Sequence, residues 1–158
     1  MARTRLNAKG RRENGTYAGI PHSVTRSPQY AALSAHAVKL LLDFTDQFNG
    51  KNNGDMEATW PTMQRKGWRS KKTLYRAIRE LTQAGFVVVS RQGWTRTCTL
   101  YALTFLAIDE CRGKLDIAPT AAPYNTWKTK TAVPQVYQCA RKVTCETPKN
   151  ALLVHLRY

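Results

Sequence analysis

The sequence predicts an α+β fold in which three helices are followed by a β-hairpin. Two stretches place apolar residues three and four positions apart, which is the spacing of one buried helix face. A glycine follows each stretch, at Gly50 and Gly85, where helices commonly end in left-handed geometry. Behind Gly85 come two strand-like runs separated by a glycine turn. A chain of 158 residues with 42% apolar and 22% charged side chains can bury a core around these elements.

The first predicted helix spans residues 35–48, with Ser34 as its N-cap. The apolar residues expected on its buried face are Val38, Leu41, Leu42, Thr45 and Phe48. Its polar side is mixed to acidic, since it carries Lys39, Asp43 and Asp46. We therefore expect this helix to be part of the scaffold and not a binding surface.

A short strand, a short helix and a basic helix are predicted next. Residues 55–59 form the strand, and a helix with Pro61 in its first turn ends near Gly67. Trp68 is expected to pack into the core beneath the following turn. The basic helix spans 70–84, with its first residue, a serine, as N-cap. Its buried face is predicted from four apolar residues at helical spacing: Leu74, Ala77, Ile78 and Leu81.

The hairpin is predicted over residues 86–103. Its first strand covers 86–90, and a tight connection over 91–94 follows, in which we expect Gly93 to adopt positive φ. The second strand, 95–103, should alternate, with Cys98, Leu100 and Ala102 on one face and Thr97, Thr99, Tyr101 and Leu103 on the other. Short helix, turn, basic helix and hairpin are the order of a winged helix-turn-helix.

The chain is expected to divide into three parts. Residues 1–16 form a flexible basic arm, 17–111 the winged helix-turn-helix domain, and 112–158 a basic, irregular extension that is partly ordered. The arm either follows phosphates or enters a minor groove, or it is a solvated tail that adds charge. In the extension, residues 151–156 are predicted to form a terminal strand.

The charge of the chain points to a polyanionic partner. It carries 25 Lys and Arg against 10 Asp and Glu, which gives a formal net charge of +15 and a pI near 10.1. Nucleic acid is the commonest partner of so basic a domain. The densest stretch, 65–96, has nine basic side chains and only Glu80 as an acid, and it coincides with the basic helix and the hairpin.

The predicted DNA contacts lie on the helix and on the wing. They are Ser70, Lys71, Lys72, Thr73, Tyr75, Arg76 and Arg79 on the helix, and Arg91, Trp94 and Arg96 on the wing. Thr73, Tyr75 and Arg76 are assigned to base edges, whereas Lys71, Lys72 and Arg79 are assigned to phosphates. Lysines in a first turn oppose the helix dipole, so they favour an anion there over helix stability. The alternative is a solvated helix face. Trp94 is either an interface residue or folds back onto the wing.

No catalytic, metal or cofactor site is predicted, and we do not expect an enzyme. Cys98, Cys111, Cys139 and Cys145 form no CxxC pair, and the three histidines do not have zinc-finger spacing. There is no run of about 18 apolar residues that would span a membrane. The thiols are interpreted as reduced, which predicts a cytoplasmic protein.

Residues 21–116 resemble the winged helix-turn-helix proteins encoded by bacterial phages, plasmids and integrative elements. The matching residues are Pro21-His22-Ser23, Leu33-Ser34, Asn49-Gly50-Lys51-Asn52-Asn53-Gly54-Asp55, Thr59-Trp60, Gly67-Trp68-Arg69-Ser70 and Leu100-Tyr101-Ala102-Leu103-Thr104. The resemblance implies a DNA-binding domain related to replication initiators and transcription regulators.

We therefore expect a double-stranded DNA-binding protein, with helix 70–84 in the major groove and wing 86–103 on flanking backbone. Two alternatives remain. One is a winged helix that serves protein interaction or assembly, with a homodimer or protein partner contacted through 112–158. The other is an RNA-binding or inhibitory basic protein.

Overall fold

A computed structural model of the chain describes residues 17–129 as a mixed α+β fold. Its helices are α1 (His22–Thr25), α2 (Pro28–Ala31), α3 (Ala35–Gln47), α4 (Trp60–Arg65) and α5 (Lys71–Gln83), and its strands are β1 (Met56–Glu57), β2 (Val87–Arg91) and β3 (Leu100–Leu103). A 3-10 turn at Cys111–Gly113 follows. The predicted arm 1–16 and the predicted strand 151–156 lie outside the described residues. None of the helices in 17–129 is long and apolar enough to cross a membrane.

The two longest helices, α3 and α5, start where the sequence predicts. Ser34 Oγ accepts a hydrogen bond from Ala37 N at 3.3 Å, and Ser70 Oγ accepts one from Thr73 N at 3.3 Å. Both serines therefore cap a free N–H group of the first helical turn. On α5 the predicted buried residues Leu74, Ala77 and Leu81 are buried, and Ile78 is half-buried against the same core.

The predicted buried face of α3 was partly wrong: Leu41 and Thr45 are buried as predicted, but the other three residues are not. Leu42 is 46% exposed, and Val38 and Phe48 are half-buried. The side chains that α3 buries are Ala37, Leu40, Leu41, Phe44 and Thr45. The run from Ala37 to Phe44 is apolar at nearly every position, so spacing alone did not select one face. The ring of Phe44 packs on Tyr101 of β3 at 5.4 Å between centroids, which sets the orientation of the helix.

The three strands form an antiparallel sheet in the order β1-β3-β2. The short strand predicted before α4 is present as β1, and it pairs with the hairpin, since Met56 lies opposite Tyr101. The predicted alternation along β3 does not appear as a difference in burial, because all four of its residues are buried. The chain after β3 returns to the sheet, where Asp116 N donates to Ser90 O at 2.9 Å and Asn125 N donates to Thr104 O at 2.8 Å.

The wing differs from the prediction at its tip. The second strand is shorter, beginning at Leu100 instead of residue 95. The turn is closed by Trp94 and Thr97, whose backbone groups exchange hydrogen bonds of 3.0 and 3.1 Å. Gly93 does not adopt the predicted positive φ. Glycine is needed there for space, because a Cβ atom would lie 2.6 Å from the backbone nitrogen of Thr99.

The side chain of Asn53 joins the turn after α3 to the end of the sheet. It is fully buried, and its Nδ2 donates to the backbone oxygens of Leu103, Leu106 and Ala107 at 2.9, 3.2 and 2.8 Å. Its Oδ1 accepts from Leu103 N at 2.8 Å. One amide thus contacts four backbone groups where β3 ends, and its two N–H hydrogens are shared among the three oxygens, of which Leu103 O also accepts from Leu106 N at 3.4 Å.

Residues 112–129, assigned from the sequence to the extension, contribute to the core. Trp127 is 5% exposed and stacks on Phe86, with 5.9 Å between centroids and 16° between planes. Thr126 Oγ1 donates to Gly85 O at 2.7 Å, so this segment also holds the turn between α5 and β2.

Candidate nucleic-acid interface

The outward face of α5 is basic and exposed. Lys72, Tyr75, Arg76 and Arg79 lie at i, i+3, i+4 and i+7, opposite the buried face, and border a shallow open depression of about 610 Å³. The side chain of Tyr75 is 65% exposed. Lys71 is exposed as well, whereas Thr73 is half-buried. The helix therefore presents an aromatic ring among cationic side chains.

The acid on this helix is held away from that face. Glu80 accepts hydrogen bonds from Ser34 N at 2.6 Å and from Ser34 Oγ at 2.7 Å. The carboxylate is thus committed to the N-terminus of α3, where the helix dipole favours negative charge. This contact removes Glu80 from competition for the arginines of α5.

The cations of α5 have no ionic partner within residues 17–129. The ion pairs in this part of the chain are Lys39–Asp43, Lys66–Asp46 and Lys114–Asp55, and each lies outside α5. Unpaired cations gathered on one helix face repel one another, and an anion placed among them would relieve that repulsion.

The turn between α4 and α5 is fixed by a polar network around Trp68. The prediction that Trp68 is a core residue is confirmed, since it is 4% exposed. Its Nε1 donates to Asp43 Oδ2 at 2.7 Å. Lys39 Nζ donates to the same Asp43 oxygen and to Lys66 O, both at 2.9 Å, and lies 5.2 Å from the Trp68 ring centroid. The network binds α3 to the turn and so determines the orientation of α5.

The N-terminus of α5 is also basic. Lys71 Nζ lies 5.7 Å from the ring centroid of the half-buried Trp60, which places a cation between α4 and α5. Ser70 Oγ is used by its own helix as the N-cap. Two exposed arginines that the sequence-based assignment omitted, Arg65 and Arg69, flank the turn before α5. The charge density over 65–96 was the signal that could have identified them.

The three predicted wing residues have different environments. Trp94 is 78% exposed, and Arg96 is exposed beside it. Arg91 is half-buried, and its Nη2 donates to Cys98 O at 3.2 Å across the hairpin. The Arg91 side chain therefore braces the wing, while Trp94 and Arg96 project from its tip.

Tyr101 lies in the central strand β3 and is buried. Burial raises the pKa of the Tyr101 hydroxyl from 10.0 to about 12, with smaller contributions from Tyr75 and Cys98. The hydroxyl of Tyr101 therefore stays protonated at neutral pH.

No protein-family model matches this sequence, and comparisons with curated proteins and with solved structures return no significant match.

Proposed function

We propose that the α+β fold is a winged helix-turn-helix and that the protein binds double-stranded DNA. In this proposal α4, the turn at 66–70 and α5 are the helix-turn-helix, and β2 and β3 are the wing. The order of elements and the pairing of β1 with β3 support this interpretation. So does the sequence resemblance to winged helix-turn-helix proteins of phages, plasmids and integrative elements.

The observation that carries the proposal is the unpaired cationic face of α5. An α-helix fits the major groove of B-DNA, and side chains near its N-terminus reach the base edges. Lys72 and Arg76 lie in the N-terminal half of α5 and Arg79 lies just beyond it, and none of the three has an ion pair in the described part of the chain. Within the proposed function, Thr73, Tyr75 and Arg76 contact bases, and Lys71, Lys72 and Arg79 contact phosphates.

The proposed biological setting follows from the same resemblance. The protein would act in the cytoplasm as a regulator or replication factor of a mobile element, bound to a duplex site in that element. Residues 112–158 are the proposed contact with a second copy or a protein partner.

Binding of the full chain to labelled duplex DNA, measured by fluorescence anisotropy at several salt concentrations, tests the proposal. Each phosphate contact releases counterions, so log K should fall against log salt with a slope of about −3 or steeper. Lys72→Ala should weaken binding and reduce the slope by about one. Lys51→Ala is the matched control, because this exposed lysine lines a separate depression with Arg112 and Lys114. Equal losses in Lys72→Ala and Lys51→Ala would mean that binding depends on net charge, not on α5.

The roles of the α5 residues can be separated once a preferred site is selected from a random duplex pool. Arg76→Ala should lose discrimination of about 1–3 kcal/mol at one base position, whereas Lys72→Ala should weaken binding to preferred and random duplexes alike. Failure to enrich any sequence would exclude sequence-directed binding. Affinity for RNA duplex equal to that for DNA would instead support the RNA-binding alternative.

A further inference from the structure

The tip of the wing exposes an indole ring. At 78% exposure, Trp94 is the most exposed large apolar side chain among residues 17–129. The residues that follow it in the turn, Thr95, Arg96 and Thr97, are exposed and polar or cationic. A solvated indole loses the stabilisation that burial of its apolar surface would provide.

The indole is presented by a braced hairpin. Trp94 and Thr97 exchange two backbone hydrogen bonds, and Trp94 N also donates to Thr97 Oγ1 at 3.0 Å. Gly93 N donates to Thr99 Oγ1 at 3.1 Å, and Gln92 N donates to Asp116 Oδ2 at 2.8 Å. A rigid tip loses little conformational entropy when its exposed side chain binds.

The wing follows α5 directly in the chain. α5 ends at Gln83, the chain turns at Gly85, and β2 begins at Val87 and packs against α5. The hairpin continues from β2 to Trp94. In the proposed function the wing contacts the backbone beside the site of α5, so its tip would reach the DNA next to the segment that α5 binds.

We propose that Trp94 stacks on an unpaired nucleobase, so that the preferred ligand is a junction between duplex and single-stranded DNA. This inference rests on the proposed DNA binding and specifies its ligand. An aromatic ring stacks on the face of any base once that base is released from the duplex stack. Arg96, the next cation in the turn, is available for the backbone phosphate beside such a base.

The surroundings of Trp94 favour a base over a protein pocket or an intact groove. Protein-binding patches gather several apolar residues, whereas the exposed residues that follow Trp94 in the turn are two threonines and an arginine. The minor groove of B-DNA is only about 6 Å wide, and its wedges are usually smaller side chains such as Phe, Leu or Pro. A bicyclic ring with a neighbouring cation suits a flat base with its phosphate.

Two DNAs of equal length and charge test the inference by fluorescence anisotropy with the full chain. One is a continuous duplex of mixed sequence, and the other has mismatches at one end that leave its bases unpaired. Wild type should prefer the frayed DNA by about 5- to 100-fold, the range that base–aromatic stacking supplies. Trp94→Ala should bring the ratio near one, because the variant loses more affinity for the frayed DNA than for the continuous duplex. Trp94→Phe should keep most of the preference.

Tyr124→Ala is the matched control, since it removes another exposed aromatic ring far from the wing in sequence, and it should leave the preference unchanged. If Trp94→Ala keeps the wild-type ratio, or if wild type binds both DNAs equally, the stacking role is wrong while DNA binding stands. If wild type binds neither DNA, the proposed function itself fails, and the inference fails with it.

Discussion

Glu80 links the stability of the scaffold to the charge of the candidate interface. It belongs to α5 by sequence, yet both of its carboxylate oxygens accept hydrogen bonds from Ser34 at the start of α3. The spacing of α5 shows that Glu80 is off the buried face, but a partner 46 residues earlier in the chain cannot be inferred from that spacing. Hydrogen bonds between side chains of different elements, such as this one, cannot be predicted from the spacing of residues in the sequence.

Replacing Glu80 should separate folding from binding. Glu80→Ala should lower the free energy of unfolding by about 1 kcal/mol, because Ser34 N and the N-terminus of α3 lose their acceptor. DNA affinity should not fall, since the variant removes a negative charge from α5. Urea unfolding and anisotropy measure the two effects. Glu110→Ala, which removes an exposed acid elsewhere, should change stability by less than about 0.5 kcal/mol. Equal stability of the two variants would contradict the capping role.

The positions of α3 and α5 in the chain were predictable from the sequence, but the buried face was predictable only for α5. Ser34 and Ser70 each start a helix as expected, because an N-cap is a local event decided by neighbouring residues. The buried face of α5 was predicted because polar residues separate its apolar ones. On α3 the apolar residues are nearly continuous, so the packing of Phe44 on Tyr101 decides the face.

The exposed face of α5 was predictable for the same reason that its buried face was. Lys72, Tyr75, Arg76 and Arg79 border one open surface, in agreement with their helical spacing. Arg91 shows where such reasoning stops, because its bond to Cys98 O depends on the register of the hairpin. That register includes an irregularity between Val89 and Arg91, which periodicity does not reveal.

The junction of the α3–β1 turn with β3 should depend on Asn53. Asn53→Ala would remove the partner that the amide supplies to Leu103 N and to the backbone oxygens of Leu106 and Ala107, and leaving one such group unsatisfied costs about 1–3 kcal/mol. We expect the free energy of unfolding to fall by about 3 kcal/mol or more. Asn52→Ala, in the half-buried neighbouring position, should cost less because its contacts with Asn49 and Gln47 are at the surface. Urea denaturation compares the two, and a larger loss in Asn52→Ala would contradict this assignment.

At the scale of the whole molecule, the segment after β3 was the least predictable part. Its prolines and polar composition suggested an irregular extension, but Trp127 lies in the core against Phe86. One aromatic residue in an otherwise polar stretch has no periodicity, so sequence gives no register for its docking. The contact depends on the turn at Gly85, where the backbone of Thr126 and Trp127 comes close.

A pair of glycine variants tests that docking. Gly85 and Gly67 have similar φ angles of +79° and +85°, but a Cβ atom at Gly85 would lie 2.9 Å from backbone atoms of Thr126 and Trp127, whereas at Gly67 nothing lies within 4 Å. Gly67→Ala should lower the free energy of unfolding by only about 1–2 kcal/mol, the cost of placing a residue with a side chain in left-handed geometry. Gly85→Ala should lower the free energy of unfolding by more, because the 126–127 segment must move to make room for the Cβ atom. Equal losses in urea denaturation would show that this segment adds nothing to stability.

Different residues of α5 hold the helix to the rest of the domain and form its exposed surface. Leu74, Ala77 and Leu81 hold the helix to the core, and Glu80 holds it to α3, whereas Lys72, Tyr75, Arg76 and Arg79 lie at the surface. Exposed positions tolerate exchange, so substitutions at the second set should cost little folding stability. Under the proposed function, such substitutions would change the preferred DNA sequence one residue at a time while the buried residues keep the same scaffold.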